Sequence, residues 1–86
     1  MFHKIKNVFP LSDCKLSIQF SEGVTKIYDV KPLFGKIPAF EALKSEEIFG
    51  DVSVDTGGYG IVWNDRLDIS CDELWEGGSE IHALRE

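Results

Sequence analysis

The side chains with the clearest potential for chemistry are two aspartates set in otherwise apolar stretches. Asp29 lies in IYDV, residues 27–30, and Asp68 lies in RLDIS, residues 66–70. If two such carboxylates face each other across strands, they can share a proton and act as acid and base. The alternative is that each caps a turn or pairs with a basic side chain, and Arg66 would share a strand face with Asp68. We favour this alternative, because two aspartates without a required spacing carry no catalytic signature.

The cysteine and histidine residues do not form a metal or nucleophile motif. They are scattered along the chain: His3, Cys14, Cys71 and His82. Without C-x-x-C or H-x₃-H spacing we expect no zinc site. A Cys71–His82 nucleophile pair would need one helix to run through Gly77 and Gly78, which glycine disfavours. The loop DTGGYG leads into a strand rather than a helix, unlike a phosphate loop. We therefore predict no catalytic residue, no metal and no cofactor.

Three aromatic residues of the C-terminal half are candidates for a ligand or partner surface: Tyr59, Trp63 and Trp75. The alternative, which we favour, is core packing, because large aromatic side chains usually anchor small cores. Trp63 at a strand end and Trp75 on a short helix are placed to pack together. With Asp29 and Asp68, these three complete the set of candidate interaction or ligand residues.

Length and charge limit the possible functions. The chain has 86 residues, enough for one small domain, and its 43% hydrophobic and 28% charged residues are typical of a soluble globular protein. Residues 1–36 hold six lysines against three acidic residues, whereas residues 37–86 hold three basic against twelve acidic residues. This acidic half argues against binding nucleic acid. It suits a solvated acidic face, and the alternatives are a basic partner or head-to-tail self-contact.

The sequence predicts a cytoplasmic location. No stretch approaches the roughly 20 apolar residues of a membrane span, and MFHKIKNVFP lacks the continuous apolar region of a signal peptide. In a reducing compartment Cys14 and Cys71 are expected to be free and at least partly buried.

Strand signals predominate and predict an α+β fold, a small antiparallel sheet of about five strands with short helices covering one face. KIKNVFP is a first strand closed by Pro10, and KLSIQF alternates apolar and polar residues, as a half-buried strand does. Gly23 supplies the hairpin turn before VTKIYDV. DVSVD, IVW and RLDIS complete the strands, the last two joined by a turn at Asn64–Asp65.

Short helical segments are predicted near residues 38–43 and 45–49, with Ser45 as the N-cap of the second. Ser70 and Glu73 fit a capping box that opens the helix CDELWEGG. We place the domain at residues 1–76 and expect residues 77–86 to form a tail, either one frayed helical turn or a mobile segment.

Three stretches resemble the bacterial family called domain of unknown function 2442 (DUF2442): KLSIQFSEGVTKIYDVKPLFG, FEALKSEEIFGDVSVD and IVWNDRLDISCDELW. The resemblance spans about Val8 to Trp75. The matching positions are Phe20 to Gly23, Asp29, Leu33, Gly35, Phe40, Leu43, Phe49, Trp63, Asp68, Asp72 and Trp75.

The resemblance implies a small α+β protein without an established activity. Some members carry a helix-turn-helix segment after this domain, which implies a sensing or dimerising role, and others are encoded beside toxin-like partners. Only eleven residues follow Trp75, so the DNA-binding role does not carry over. We predict an antitoxin-like or sensor-like protein-interaction module, with a protein partner, no direct nucleic acid or membrane contact, and a possible homodimer through an edge strand. The alternative is a small-ligand-binding protein or enzyme using the carboxylate pair.

Overall fold

The computed structural model describes residues 3–80. Seven strands lie within this range: β1 (Ile5–Leu11), β2 (Lys15–Phe20), β3 (Thr25–Asp29), β4 (Ser53–Val54), β5 (Gly60–Asn64), β6 (Leu67–Ser70) and β7 (Ser79–Glu80). Four short helical segments accompany them: α1 (Lys31–Phe34), a 3₁₀ segment (Pro38–Lys44), α2 (Glu46–Phe49) and α3 (Cys71–Gly77).

The predicted α+β class is confirmed, but the predicted single sheet is wrong. The strands form two antiparallel sheets, a first sheet in the order β1-β2-β3-β7 and a second in the order β4-β5-β6. The helical segments between residues 31 and 49 carry the chain away from β3, and β4 then pairs forward with β5. Where the sheets meet, the Ile5 N–H donates a 2.8 Å hydrogen bond to the Gly58 carbonyl.

The first sheet follows the predicted alternation. Leu16, Ile18 and Phe20 of β2 are buried in the core, and Gly23 makes the predicted turn with φ of +94°. The prediction that Pro10 closes β1 is wrong, because the strand continues to Leu11. Because β1 is an edge strand, the missing proline N–H does not interrupt the sheet.

The second sheet corrects the predicted position of its turn. Asn64 still pairs with Leu67, so the two turn residues are Asp65 and Arg66 rather than Asn64 and Asp65. The Asn64 side-chain oxygen accepts a 2.9 Å hydrogen bond from the Arg66 N–H. An asparagine side chain bonded two residues ahead imitates a backbone turn, which explains why asparagine stands before the turn.

The 3₁₀ segment, α2 and α3 agree with the predictions, whereas α1 was not predicted. The 3₁₀ segment begins at Pro38, and α2 spans Glu46–Phe49. Ser45 caps α2 through a 3.5 Å hydrogen bond from the Ile48 N–H, and Ser70 caps α3 through a 3.2 Å bond from the Glu73 N–H. These segments contribute buried apolar side chains to the core: Phe40, Leu43, Phe49, Cys71 and Leu74.

The chain after α3 differs from the frayed turn or mobile segment that was expected. Ser79 pairs with Ile27 and Glu80 with Lys26, which adds β7 to the first sheet. Gly78 permits this return, because a β-carbon there would lie 2.7 Å from the Leu74 carbonyl oxygen. The remainder of the predicted tail, residues 81–86, lies outside the described residues.

Gly58 provides a test of the contact between the sheets. Its φ is +79°, and an added β-carbon would lie 2.7 Å from the Ile5 backbone oxygen. We expect Gly58→Ala to lower the free energy of unfolding by about 1–3 kcal/mol, measured by urea denaturation.

Gly35→Ala is the matched control. Its φ is negative and no atom lies within 4 Å of an added β-carbon, so we expect a change within about 0.5 kcal/mol. Equal stability of the two variants would contradict the close contact at Gly58.

Candidate functional site

A groove of about 320 Å³ lies between the segment joining α1 to the 3₁₀ segment and the junction of β6 with α3. Its apolar lining consists of Leu33, Ile37, Phe40 and Ile69, and its polar lining consists of Lys36, Asp68, Ser70 and Glu73. We call it the Asp68 groove. In this groove a predicted site residue, Asp68, lies beside the exposed apolar side chain of Ile37.

The strand β6 and the cap of α3 place the carboxylates of the Asp68 groove. Leu67 and Ile69 are buried, so alternation turns Asp68 to the opposite, exposed side. Glu73 lies in the first turn of α3, because Ser70 ends the strand and caps the helix. Both acidic side chains are therefore held by backbone elements rather than by a loop.

Tyr28 and Glu73 link the groove to the first sheet. The Tyr28 hydroxyl donates a 2.8 Å hydrogen bond to Glu73 Oε2. Burial raises the pKa of Tyr28 well above its ordinary value, and the Glu73 carboxylate adds to this rise. The hydrogen bond fixes one Glu73 oxygen, while the residue itself remains exposed at the groove.

Ile37 gives the groove an exposed apolar edge. Its side chain is 42% exposed, and its extended backbone connects the turn at Gly35 and Lys36 to Pro38. The groove thus combines an apolar lining with two carboxylates and one ammonium group. The lining therefore offers apolar contact and negative charge side by side.

Asp29 belongs to a different group of side chains. One of its carboxylate oxygens accepts a 3.0 Å hydrogen bond from the Lys31 backbone N–H and lies 3.1 Å from Lys31 Nζ. Lys31 Nζ also lies 3.2 Å from Asp13 Oδ2, and this hydrogen bond lowers the pKa of Asp13. Asp29 therefore caps a turn and pairs with a basic side chain, Lys31. This is the structural alternative that we favoured over a catalytic role.

The structure does not bring the two candidate aspartates together. Asp29 ends β3 in the first sheet, and Asp68 lies in β6 of the second. The expected pairing of Arg66 with Asp68 is also not formed among the described ion pairs. Arg66 lies in the turn rather than in β6, so the two residues do not share a strand face.

Trp63 packs in the core, as favoured. It is 8% exposed, its ring lies against Phe40 and Phe49 at centroid distances of 6.3 Å and 6.2 Å, and its Nε1 donates a 3.0 Å hydrogen bond to the Phe49 carbonyl. The side chain thereby ties β5 to α2.

The predicted packing of Trp75 against Trp63 is wrong. Trp75 stacks on His3 at a centroid distance of 3.6 Å, meets Phe20 edge-on at 4.9 Å, and has Lys26 Nζ 4.2 Å above its ring. On α3 it is Leu74 that is fully buried. One residue further along a helix turns the side chain by about 100°, and this directs Trp75 to the first sheet.

Tyr59 and Cys71 lie at a third place, a shallow pocket of about 280 Å³. Tyr59 is 59% exposed, with Lys4 Nζ 5.5 Å from its ring centroid. The Cys71 thiol donates to the His3 carbonyl at 3.1 Å, and burial raises its pKa. A raised pKa keeps the thiol protonated, which is the opposite of an activated nucleophile. His82, its proposed partner, lies outside the described residues.

The described residues add three further observations. Cys14 and Cys71 are free, one half-buried and one buried, as predicted. Within residues 3–80, no three His, Cys, Asp or Glu side chains come together as metal ligands would. None of the helices formed by these residues has the length and apolar character needed to cross a membrane.

Sequence reasoning did not identify the other residues that line the Asp68 groove: Leu33, Lys36, Ile37, Phe40, Ile69, Ser70 and Glu73. Two of them left a signal. Ile37 is an apolar residue between the breakers Gly35 and Pro38, which indicates exposure. Glu73 was assigned only a capping role, although its side chain faces Tyr28.

The fold and the groove define a small α+β domain with a groove of mixed apolar and acidic lining. Residues 5–80 match the model of a family described as "Protein of unknown function (DUF2442)". The chain belongs to this family, which confirms the resemblance. No curated protein and no solved structure matches the chain.

The link between Tyr28 and Glu73 can be tested by titration. Because the Glu73 charge disfavours a neighbouring tyrosinate, we expect Glu73→Gln to lower the pKa of Tyr28 toward its ordinary value of about 10. Absorbance of tyrosinate near 295 nm, followed against pH, measures this shift.

Glu76→Gln, a change at an exposed position of the same helix, is the control and should leave the Tyr28 titration unaltered.

The raised pKa of Tyr28 also predicts a dependence of stability on pH. At alkaline pH the unfolded chain loses the Tyr28 proton before the folded protein does. The contribution of Tyr28 to the free energy of unfolding should therefore be constant below about pH 10 and fall above it, and Tyr28→Phe should remove this part of the fall at alkaline pH. An unshifted Tyr28 titration in the wild type would contradict the assignment.

Proposed function

We propose that this protein is a non-catalytic protein-interaction module and that the Asp68 groove receives its partner. One observation carries the proposal: the exposed Ile37 side chain and the carboxylates of Asp68 and Glu73 line the same groove. Exposed apolar surface bordered by polar groups is typical of interaction sites.

The partner's chemistry follows from the lining and from the charge of the chain. Residues 37–86 contain twelve acidic and three basic residues, so the second half of the chain attracts positive charge. The matching segment carries an aliphatic side chain for Ile37 and Phe40 and a lysine or arginine for the carboxylates. Attraction between opposite charges accelerates such an encounter and makes it sensitive to salt.

At a finer level we propose a regulatory role of the antitoxin-like or sensor-like kind, in which the partner is a cytoplasmic, toxin-like protein. The free thiols of Cys14 and Cys71 suit a reducing compartment. A basic partner that is harmful when expressed alone, and harmless when expressed with this chain, would be the expected finding for the antitoxin-like form.

A small-ligand-binding role is the second candidate. The volume of about 320 Å³ falls at the lower end of the range of small-molecule pockets, about 300–1,000 Å³. Such a ligand would use Asp68 and Glu73, because the Asp29–Asp68 pair is not assembled. The first candidate function predicts that a protein remains bound to the purified chain, and the second predicts a small molecule.

Charge reversal at Asp68 tests the proposal. We expect the wild-type chain, tagged and expressed in the cells that encode it, to retain one protein in stoichiometric amount. With that partner purified, titration calorimetry should give a Kd raised at least about tenfold for Asp68→Lys, because the variant sets a positive charge against the partner's own.

Asp65→Lys is the matched control. It makes the same change of charge at an exposed position in the β5–β6 turn, outside the groove lining, and should leave the Kd nearly unchanged. Equal weakening by both variants would show a general charge effect and contradict the groove. A bound small molecule in native mass spectrometry, with no protein partner, would favour the second candidate.

A further inference from the structure

The outer face of the first sheet carries side chains that the core does not use. Strand register sets them in rows across the sheet. The central row consists of Phe9, Ser17, Ile27 and Ser79, and the flanking rows consist of Asn7, Gln19 and Thr25 on one side and Leu11, Lys15 and Asp29 on the other. We call this surface the outer face.

The outer face is open to solvent although it contains apolar side chains. Phe9 is 47% exposed and Leu11 is 41% exposed, and Ile27 is only half-buried although β3 lies inside the sheet. The hydrophobic core instead contains the alternate residues of the same strands, such as Leu16, Ile18 and Tyr28. The outer face therefore exposes Phe9 and Leu11 to solvent, and Ile27 lies in the same row as Phe9.

The outer face is electrically neutral on a strongly acidic protein. Its central row and the row of Asn7, Gln19 and Thr25 contain no charge, and Asn7 donates a 3.0 Å side-chain hydrogen bond to Gln19. In the third row Lys15 lies directly opposite Asp29. The net charge of −6 therefore resides elsewhere. A second copy presents the same neutral rows, so contact between two outer faces brings no like charges together.

The edge of β1 is less suited to self-association. Pro10 lacks a backbone donor, Lys6 is exposed with its charge, and the register shifts between Ile5 and Asn7. Proline, lysine and a bulge are devices that protect an edge strand from pairing with another chain. These three features work against a homodimer through the β1 edge and favour the outer face for contact between copies. The edge-strand homodimer stays a prediction.

We infer that the outer face binds a second copy of this chain, face to face, about a twofold axis near Ser17. Two sheets packed in this way lie about 10 Å apart with their strands roughly aligned, which brings Phe9 and Ile27 of one copy against the outer face of the other. The contact is isologous, so each copy contributes the same residues.

The size of the face predicts a weak dimer. The strands β1, β2, β3 and β7 contain 7, 6, 5 and 2 residues. At about 3.4 Å per residue and about 4.8 Å between strands, they give a face on the order of 300 Å². This is less than half of the roughly 800 Å² that each partner contributes to a standard interface. We therefore expect association in the micromolar range, depending on concentration.

Sedimentation equilibrium of the full chain from about 1 µM to 1 mM tests this inference. The expected result is a monomer–dimer equilibrium whose Kd does not rise between low and high salt, because apolar contact is not screened. Ser17→Lys sets two like charges at the twofold axis and should raise the Kd at least about tenfold. Phe9→Ser should weaken the dimer similarly.

Ile37→Ser is the matched control for Phe9→Ser, because it removes an apolar side chain of similar exposure from the Asp68 groove. It should leave the dimer intact. Circular dichroism and urea midpoints establish that each variant folds, and Ile27→Thr replaces Ser17→Lys if that variant is unfolded.

Three results would overturn the inference. The first is a monomer throughout the concentration range. The second is a dimer that Ser17→Lys does not weaken, since β2 lies between β1 and β3 and edge pairing does not reach it. The third is a dimer that dissociates in salt, which indicates head-to-tail attraction between the basic and acidic halves. The partner test at Asp68 is independent of all three.

Discussion

The contact between Ile5 and Gly58 determines how the rest of the molecule is arranged. The Ile5 N–H bonds to the Gly58 carbonyl, and the Gly58 α-carbon approaches the Ile5 backbone so closely that no side chain fits between them. This joins the first strand of one sheet to the loop before β5 of the other. The apolar faces of both sheets can therefore share one core with the short helical segments. Neither sheet alone buries enough surface to be stable at this chain length.

One consequence is that the two halves of the chain present different surfaces. Residues 1–36 supply β1, β2 and β3, and their neutral outer face looks away from the core. Residues 37–86 supply the second sheet and α3, and they carry the acidic excess. The Asp68 groove forms where α1 and the 3₁₀ segment, which connect the halves, pass over the β6–α3 junction. Charge segregation in the sequence thus places a neutral outer face and an acidic groove on different parts of the molecule.

Local patterns predicted local structure well, and long-range arrangement poorly. Alternation in KLSIQF, the glycine at position 23 and the serine caps at 45 and 70 each depend on neighbours within a few residues, and each was confirmed. The division into two sheets and the partner of Trp75 depend on packing between distant segments. Trp75 lies one residue beyond the buried Leu74, so a small rotation about α3 decides which sheet it meets.

The same limit applies to the candidate site. Asp68 could be identified as outward-facing from the apolar residues Leu67 and Ile69, because the alternation of side chains along a strand needs only three residues to be recognised. Its neighbours in the groove come from α1, the 3₁₀ segment and α3, and no spacing in the sequence indicates that these segments meet.

The addition of β7 to β3 has a related consequence for folding. The first sheet gains its fourth strand only after residues 30–78 have been made and α3 has turned back. Pairing across so long a separation slows folding, so completion of this sheet must follow synthesis of nearly the whole domain.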